Sequence, residues 1–121
     1  MEIVVVGPCG AGKSTLVQSL RARGYAARAV AQEHSIISDL WRHGGEPAAL
    51  IVLEVERDTI AKRRRAEFPD WLYQEQRGRL ASARAHADLV VVTDDVSPAE
   101  VTRKVIDFLR SAGITTEAAR T

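Results

Sequence analysis

The chain has 121 residues and a formal net charge of +1, with 45% hydrophobic and 27% charged residues. This length suits one domain over residues 1–121, and the composition argues against disorder. No apolar run approaches the roughly 18 residues of a membrane span, and Met1–Val6 lacks the basic region of an export signal. The single cysteine, Cys9, excludes an internal disulfide framework, so we expect a cytoplasmic protein.

The first half of the chain alternates predicted strands and helices. Ile3–Val6 is a β-branched run typical of a strand that is buried on both faces, and Ser14–Arg23 follows as a helix. Ala26–Ala31 is a weaker strand candidate because alanine and arginine dilute it. The segment Ser35–Arg42 is predicted to form a short helix. The buried side of this helix is expected to contain Ile36, Ile37, Leu40 and Trp41.

The second half continues the alternation. Its predicted elements are a strand at Ala49–Val55, helices at 58–67 and Asp70–His86, a strand at Leu89–Val92 and a last helix that ends near Ser111. The last helix begins with a capping box, Ser97 to Glu100, and has proline at its first position. Strands that alternate with helices and read as apolar runs predict a parallel sheet covered on both faces. We therefore expect a three-layer α/β sandwich with about four strands, in which Ile3–Val6 is central.

A phosphate-loop motif lies between the first strand and the first helix. Residues 7–14 match G-x-x-x-x-G-K-[ST] at every fixed position. Glycines let successive backbone N–H groups surround a β-phosphate, and the next helix presents its positive N-terminal end to the same anion. Lys13 would reach the β- and γ-phosphates, and the Ser14 hydroxyl would ligate Mg²⁺. The predicted nucleotide-binding residues of the motif are Gly7, Cys9, Gly10, Ala11, Gly12, Lys13, Ser14 and Thr15.

Other interpretations of this loop are weaker. A dinucleotide-binding loop would also use the G-x-G of residues 10–12, with Glu33 at a suitable distance for a ribose. Thr15 occupies the third glycine position, however, which argues against that class. Cys9 occupies a variable position, where it is either a small tolerated side chain or a thiol whose oxidation would block binding.

With this loop, the strand pattern and the ending Ala87–Pro98, the chain resembles the P-loop kinases of nucleotides, nucleosides and small metabolites. The resemblance implies a P-loop sandwich, ATP or GTP as the bound nucleotide, Mg²⁺ and an arginine-rich lid. It also implies that the loop bearing Val96 and Pro98 lies beside the base. The chain departs from that pattern because only Gln32–Pro47 is available for both an acidic strand end and a substrate-binding insertion.

Glu33 is the candidate acidic residue after the strand Ala26–Ala31. It would support Mg²⁺ or act as the base for a substrate hydroxyl. The alternative is a carboxylate that only favours the N-terminus of the next helix. Glu54 and Glu56 are weaker candidates for the same role. The polar segment 32–35 is therefore the expected acceptor or water-positioning site.

Basic charge is concentrated in residues 57–84, which carry eight basic and four acidic side chains. Arginines that close over a transferring phosphoryl group accelerate the reaction strongly. Arg63, Arg64 and Arg65 lie at successive helical angles, so only one or two can face the site, and Arg64 is the catalytic candidate. Nucleic-acid binding is the other use of such a cluster, and the near-neutral charge and few aromatic residues argue against it.

These observations favour Mg²⁺-dependent phosphoryl transfer from a nucleoside triphosphate to an unidentified small-molecule acceptor. The expected catalytic residues are Lys13, Glu33 and Arg64, and the expected metal ligands are Ser14 and Glu33. The alternatives are a nucleotide-binding switch with little turnover and a simple NTPase that holds water near Gln32 or Glu33. No membrane partner is expected, and Trp41 or Trp71 could mark an interface of a homo-oligomer.

Overall fold

Four parallel strands form the centre of the fold in the computed structural model, which describes residues 2–118. The strands are β1 (Ile3–Val6), β2 (Ala27–Ala29), β3 (Ala49–Glu54) and β4 (Leu89–Val92). Their spatial order is β2-β1-β3-β4, and Val4 of β1 is paired with Arg28 of β2 and with Leu50 of β3. The strand that precedes the glycine-rich segment is therefore internal, as predicted. The carboxyl ends of the strands meet at one edge, where open α/β sheets place their ligands.

Helices lie on both sides of this sheet. They are α1 (Lys13–Ala22), α2 (Arg57–Arg64), α3 (Asp70–Arg79), α4 (Ala81–His86) and α5 (Pro98–Ser111). Two short 3₁₀ turns, Gln32–His34 and Leu40–Arg42, lie between β2 and β3. The predicted cap of α5 is confirmed, because the Glu100 backbone N–H donates to Ser97 Oγ at 3.2 Å. Within residues 2–118, no helix is long and apolar enough to cross a lipid bilayer.

Two hydrophobic clusters, one on each face of the sheet, make up the core. Alternate residues of a strand point to opposite faces, so β1 and β3 each contribute to both clusters. The first cluster includes Ile3, Val5, Ile51, Leu53, Leu16, Leu20, Val105 and Leu109. The second includes Val4, Val6, Leu50, Val52, Trp41, Leu80 and Ala83. The predicted three-layer α/β fold is therefore confirmed.

The predicted helix over Ser35–Arg42 is wrong. The segment consists of turns, with a 3₁₀ turn only at Leu40–Arg42. Ile36 is 89% exposed and Ile37 is 45% exposed, whereas Trp41 is fully buried. The spacing of these apolar residues is typical of one face of a helix, but only Trp41 is fully buried.

The side chain of Gln32 explains why this segment does not form a helix. Its Nε2 donates to the Ile37 carbonyl at 2.7 Å, and its Oε1 accepts from the Trp41 backbone N–H at 3.0 Å. Gln32 is itself completely buried. Backbone groups that bond to a buried side chain are not available for helical hydrogen bonds.

Two further expectations are corrected in the second half of the chain. The predicted helix Asp70–His86 is divided at Leu80 into α3 and α4. Strand β4 is an edge strand of the four, and its Val90 and Val92 are 43% and 55% exposed. The apolar run Leu89–Val92 does form the predicted strand. The predicted burial of both its faces is wrong, because one face of this edge strand is partly exposed.

Candidate functional site

The segment from residue 7 to residue 14, which we call the glycine loop, connects the end of β1 to the start of α1. A Cβ at Gly7 would lie 2.8 Å from the Leu53 carbonyl oxygen, so this position accepts only glycine without a shift of the sheet. Gly12 has φ +99° and precedes α1, where a left-handed conformation favours glycine. It offers no side-chain cap, so the N–H groups of the first turn of α1 lack that partner.

Lys13 folds back onto the loop that precedes it. Its Nζ donates to the carbonyl oxygens of Gly7 at 2.8 Å and Pro8 at 3.1 Å, and to Glu33 Oε2 at 2.5 Å. These three contacts match the three donors of an ammonium group. The side chains of Lys13 and Glu33 are 14% and 4% exposed. Lys13 and Glu33, which the sequence analysis selected independently as site residues, therefore form an ion pair in the structure.

Glu33 reaches Lys13 because β2 pairs with β1. The Val30 backbone N–H donates to the Val5 carbonyl at 3.0 Å, and the 3₁₀ turn that contains Glu33 follows at the carboxyl edge of the sheet. Arg79 Nη1 donates to the Glu33 carbonyl at 3.3 Å and so anchors this turn to α3. Glu33 Oε1 is buried and accepts no hydrogen bond from any residue of the described part of the chain. A buried acceptor without a partner costs about 1–3 kcal/mol, so this oxygen is suited to a cation or an added donor.

A second group of polar side chains surrounds Cys9. Gln76 of α3 is buried and bonds to this residue twice, accepting from the Cys9 backbone N–H at 3.1 Å and donating to Cys9 Sγ at 3.3 Å. His34 Nε2 lies 3.5 Å from the same sulfur. The sequence placed Cys9 in the loop but gave no local signal for Gln76, because a glutamine within a helix is usually exposed.

Arg63 is the arginine of α2 that contacts the glycine loop. Its Nη1 donates to the Gly10 carbonyl at 2.8 Å and to Thr93 Oγ1 at 3.2 Å, and its Nη2 donates to the Thr93 carbonyl. Arg64, the sequence-based candidate, is exposed, and its guanidinium lies over the Phe68 ring at 5.7 Å. Adjacent helical residues differ by about 100° in direction, which explains why only one of the two reaches the loop.

Thr93 joins the end of β4 to the glycine loop. Its Oγ1 donates to the Ala11 carbonyl at 3.1 Å, and its backbone N–H donates to the Glu54 carbonyl at 2.8 Å. The side chain is buried. Sequence reasoning did not select Thr93, although its place directly after a predicted strand is a usable signal, since strand ends at this edge carry functional residues.

A cavity of about 230 Å³ opens beside the glycine loop. The loop contributes Gly10, Ala11 and Gly12 to its lining, and α1 contributes Thr15 and Leu16. The far side is formed by Val96, Pro98 and Val101, with Arg63 and Thr93 completing the lining. The structure therefore gathers four of the eight predicted loop residues and both predicted base-side residues around one cavity. Lys13 and Glu33 are not among its lining residues, and Ser14 is exposed in the first turn of α1.

No model of a known protein family matches this chain, and a search of curated proteins gives no match. The functional interpretation of the site therefore depends on its own residues and their geometry.

Proposed function

We propose that the chain binds a nucleoside triphosphate with Mg²⁺ at the glycine loop and transfers the terminal phosphoryl group, as a small P-loop kinase-like enzyme. The observation that carries this proposal is the arrangement of Lys13. A lysine at the first position of α1, held between two loop carbonyls and a buried carboxylate, matches the charge and position that β- and γ-phosphates require.

Three polar residues of the site, Lys13, Ser14 and Glu33, have proposed roles. Lys13 exchanges its loop carbonyls for phosphate oxygens, and the Ser14 hydroxyl together with Glu33 holds Mg²⁺ or its water shell. Mg²⁺ supplies neutralisation of the charge that develops on the transferring group. Glu33 fits this role because Oε1 has no partner among the described residues while Oε2 holds Lys13. The same carboxylate is the candidate base for an acceptor hydroxyl.

Adenine is the base that we propose for the cavity. Its apolar wall of Leu16, Val96 and Val101 suits a purine ring, and the Arg63 guanidinium can lie against the ring face. Guanine would present its ring and amino N–H groups to an acceptor, for which a carboxylate is well suited. Asp94, the nearest acid in sequence after β4, is oriented toward the start of α2, because its Oδ1 accepts from the Glu56 backbone N–H at 2.9 Å and from the Thr59 hydroxyl at 2.6 Å, and it does not line the cavity.

A nucleotide-binding switch is the second candidate, and the connection between β2 and β3 supports it. This connection holds only turns and two short 3₁₀ turns, which is little material for a closed acceptor pocket. Ile36, three residues after Glu33, is almost fully exposed and could receive a partner that completes the site. A simple NTPase would have to position water with Glu33, because Gln32 is fully buried and its amide already bonds within the chain.

The proposal is tested by following the terminal phosphate of radiolabelled ATP, with and without a panel of small hydroxyl-bearing metabolites. Wild type is expected to release or transfer the label, and Glu33→Gln should lower the rate by about 10²-fold or more. Glu46→Gln is the matched control, since Glu46 is exposed and pairs only loosely with Arg42 at 3.6 Å. Tight binding without turnover under any condition would favour the switch. Absence of binding of both ATP and GTP would overturn both candidates.

A further inference from the structure

Three metal-ligating side chains of different chemistry meet beside the glycine loop. Cys9 offers a sulfur, His34 an imidazole nitrogen and Glu33 a carboxylate oxygen, and these atoms lie within 4.8 Å of one another. Cys9 Sγ is 3.5 Å from His34 Nε2, which in turn is 3.9 Å from Glu33 Oε2. A set of sulfur, nitrogen and oxygen ligands is a more specific indication of a metal site than a group of exposed carboxylates.

Two of the three distances between the ligand atoms are close to those of a tetrahedral zinc site. With Zn–S near 2.3 Å and Zn–N near 2.05 Å, a tetrahedral angle places sulfur and nitrogen about 3.6 Å apart. The distance between Cys9 Sγ and His34 Nε2 is 3.5 Å. Nitrogen and carboxylate oxygen would be about 3.4 Å apart in the same geometry, so His34 Nε2 and Glu33 Oε2 need to approach by only a few tenths of an ångström. The His34 side chain is 58% exposed, which leaves it free to make this adjustment.

The buried carboxylate gives an independent indication of a cation. Glu33 is 3% exposed, and its Oε1 has no hydrogen-bond donor within residues 2–118. Lys13 contacts the other oxygen, Oε2. The oxygen that lies nearest His34 is Oε2, which Lys13 already contacts. A cation would therefore share Oε2 with Lys13, or bind Oε1 after a rotation of the carboxylate and so satisfy the orphaned acceptor.

Helix α3 holds two of the three ligands in place. Gln76 bonds to both the backbone and the sulfur of Cys9, and Arg79 bonds to the carbonyl of Glu33. The outer groups that orient metal ligands are part of a functional metal site. Here they fix the sulfur of Cys9 and the backbone of Glu33 before any cation arrives.

We propose that Cys9, Glu33 and His34 form a binding site for Zn²⁺ or a similar thiophilic divalent cation. Sulfur and imidazole ligands favour such cations over Mg²⁺, which prefers oxygen, so the site is distinct in chemistry from the proposed nucleotide Mg²⁺. Three protein ligands leave a fourth position for water. The neighbouring Lys13 ammonium opposes a second cation, so the affinity is expected to be lower than that of a closed four-ligand site.

The test uses Zn²⁺ and Co²⁺ alone, with full-length protein free of nucleotide and Mg²⁺. One equivalent of Co²⁺ should produce a sulfur-to-cobalt charge-transfer band, and Zn²⁺ should abolish it by displacement. Because Cys9 is the single cysteine, the band has one possible protein source, and Zn²⁺ should also slow the alkylation of this thiol. Cys9→Ser should remove the band, and His34→Ala should weaken Co²⁺ binding at least tenfold.

The matched control is His43→Ala, since His43 is also exposed and paired with a carboxylate, Asp39 at 3.4 Å, but lies outside the cluster. It should retain the band and the affinity. Absence of a band in wild type, or unchanged Co²⁺ affinity in His34→Ala, would overturn the proposal. His34 is mostly exposed, so its replacement tests the site even if Cys9→Ser proves too unstable to purify. None of these outcomes depends on nucleotide, and a failure here leaves the proposed function untouched.

Discussion

Replacement of Lys13 with methionine tests how strongly the ion pair with Glu33 holds the site together. The change removes the ammonium and leaves a carboxylate that is 4% exposed beside the glycine loop. Breaking a buried pair by removing one partner costs about 3–5 kcal/mol. The Lys13 side chain is 14% exposed, so we expect the free energy of unfolding to fall by about 3 kcal/mol, the lower end of this range.

A double-mutant cycle separates this effect from general disruption of the loop. Glu33→Gln alone should cost about 1–2 kcal/mol, because Lys13 keeps its contacts with the Gly7 and Pro8 carbonyls. The double variant Lys13→Met with Glu33→Gln no longer contains a buried uncompensated charge. It should therefore be more stable than Lys13→Met alone, by about 1 kcal/mol or more.

Urea unfolding followed by circular dichroism measures all four proteins of the cycle. With a denaturant slope of about 1.5 kcal/mol/M, a 3 kcal/mol loss moves the midpoint by about 2 M. Lys104→Met is the control, since Lys104 is exposed on α5, and it should change stability by less than about 0.5 kcal/mol. A loss below about 1 kcal/mol in Lys13→Met, or strict additivity in the double variant, would refute the reasoning.

Three further predictions concern the loop, the cavity and the shared carboxylate. Gly7→Ala should lower the free energy of unfolding by about 1–3 kcal/mol, since the new Cβ would lie 2.8 Å from the Leu53 carbonyl; unchanged urea unfolding would contradict this. Arg63→Ala should weaken Mg·ATP binding in calorimetry about tenfold, whereas Arg64→Ala should not, and equal losses would argue against the assigned cavity. If both proposed sites exist, Zn²⁺ should weaken Mg·ATP binding because they share Glu33, and independent titrations would contradict that coupling.

The sequence predicted the elements whose signals are local. Ile3–Val6 and Leu89–Val92 are apolar runs bounded by turn residues, and both form strands with the predicted bounds. Helix α5 carries its own cap and proline at its start, and it begins where predicted. The failure at Ser35–Arg42 has a non-local cause, because the amide of Gln32 decides where the backbone groups of that segment bond.

The sequence predicted only part of the candidate site, because several of its contacts join residues that are far apart in the chain. A fixed motif identified the glycine loop, and the position of Glu33 after a strand identified the acid that lies against Lys13. Which arginine reaches the loop depends on the rotation of α2, and a run of three arginines does not fix that rotation. Gln76 supports Cys9 from 67 residues away, so only the packing of α3 reveals it.

Calorimetric titration of wild type and Ser14→Ala with Mg·ATP tests the central claim most directly. Ser14 is exposed in the first turn of α1, so its replacement should spare the fold while removing the proposed metal ligand. Ser111→Ala, at the exposed end of α5, is the matched control. We predict one ATP per chain for wild type and for the control, with binding at least tenfold weaker in Ser14→Ala. Absence of binding to wild type, or equal affinity in all three proteins, would contradict a nucleotide site at the glycine loop.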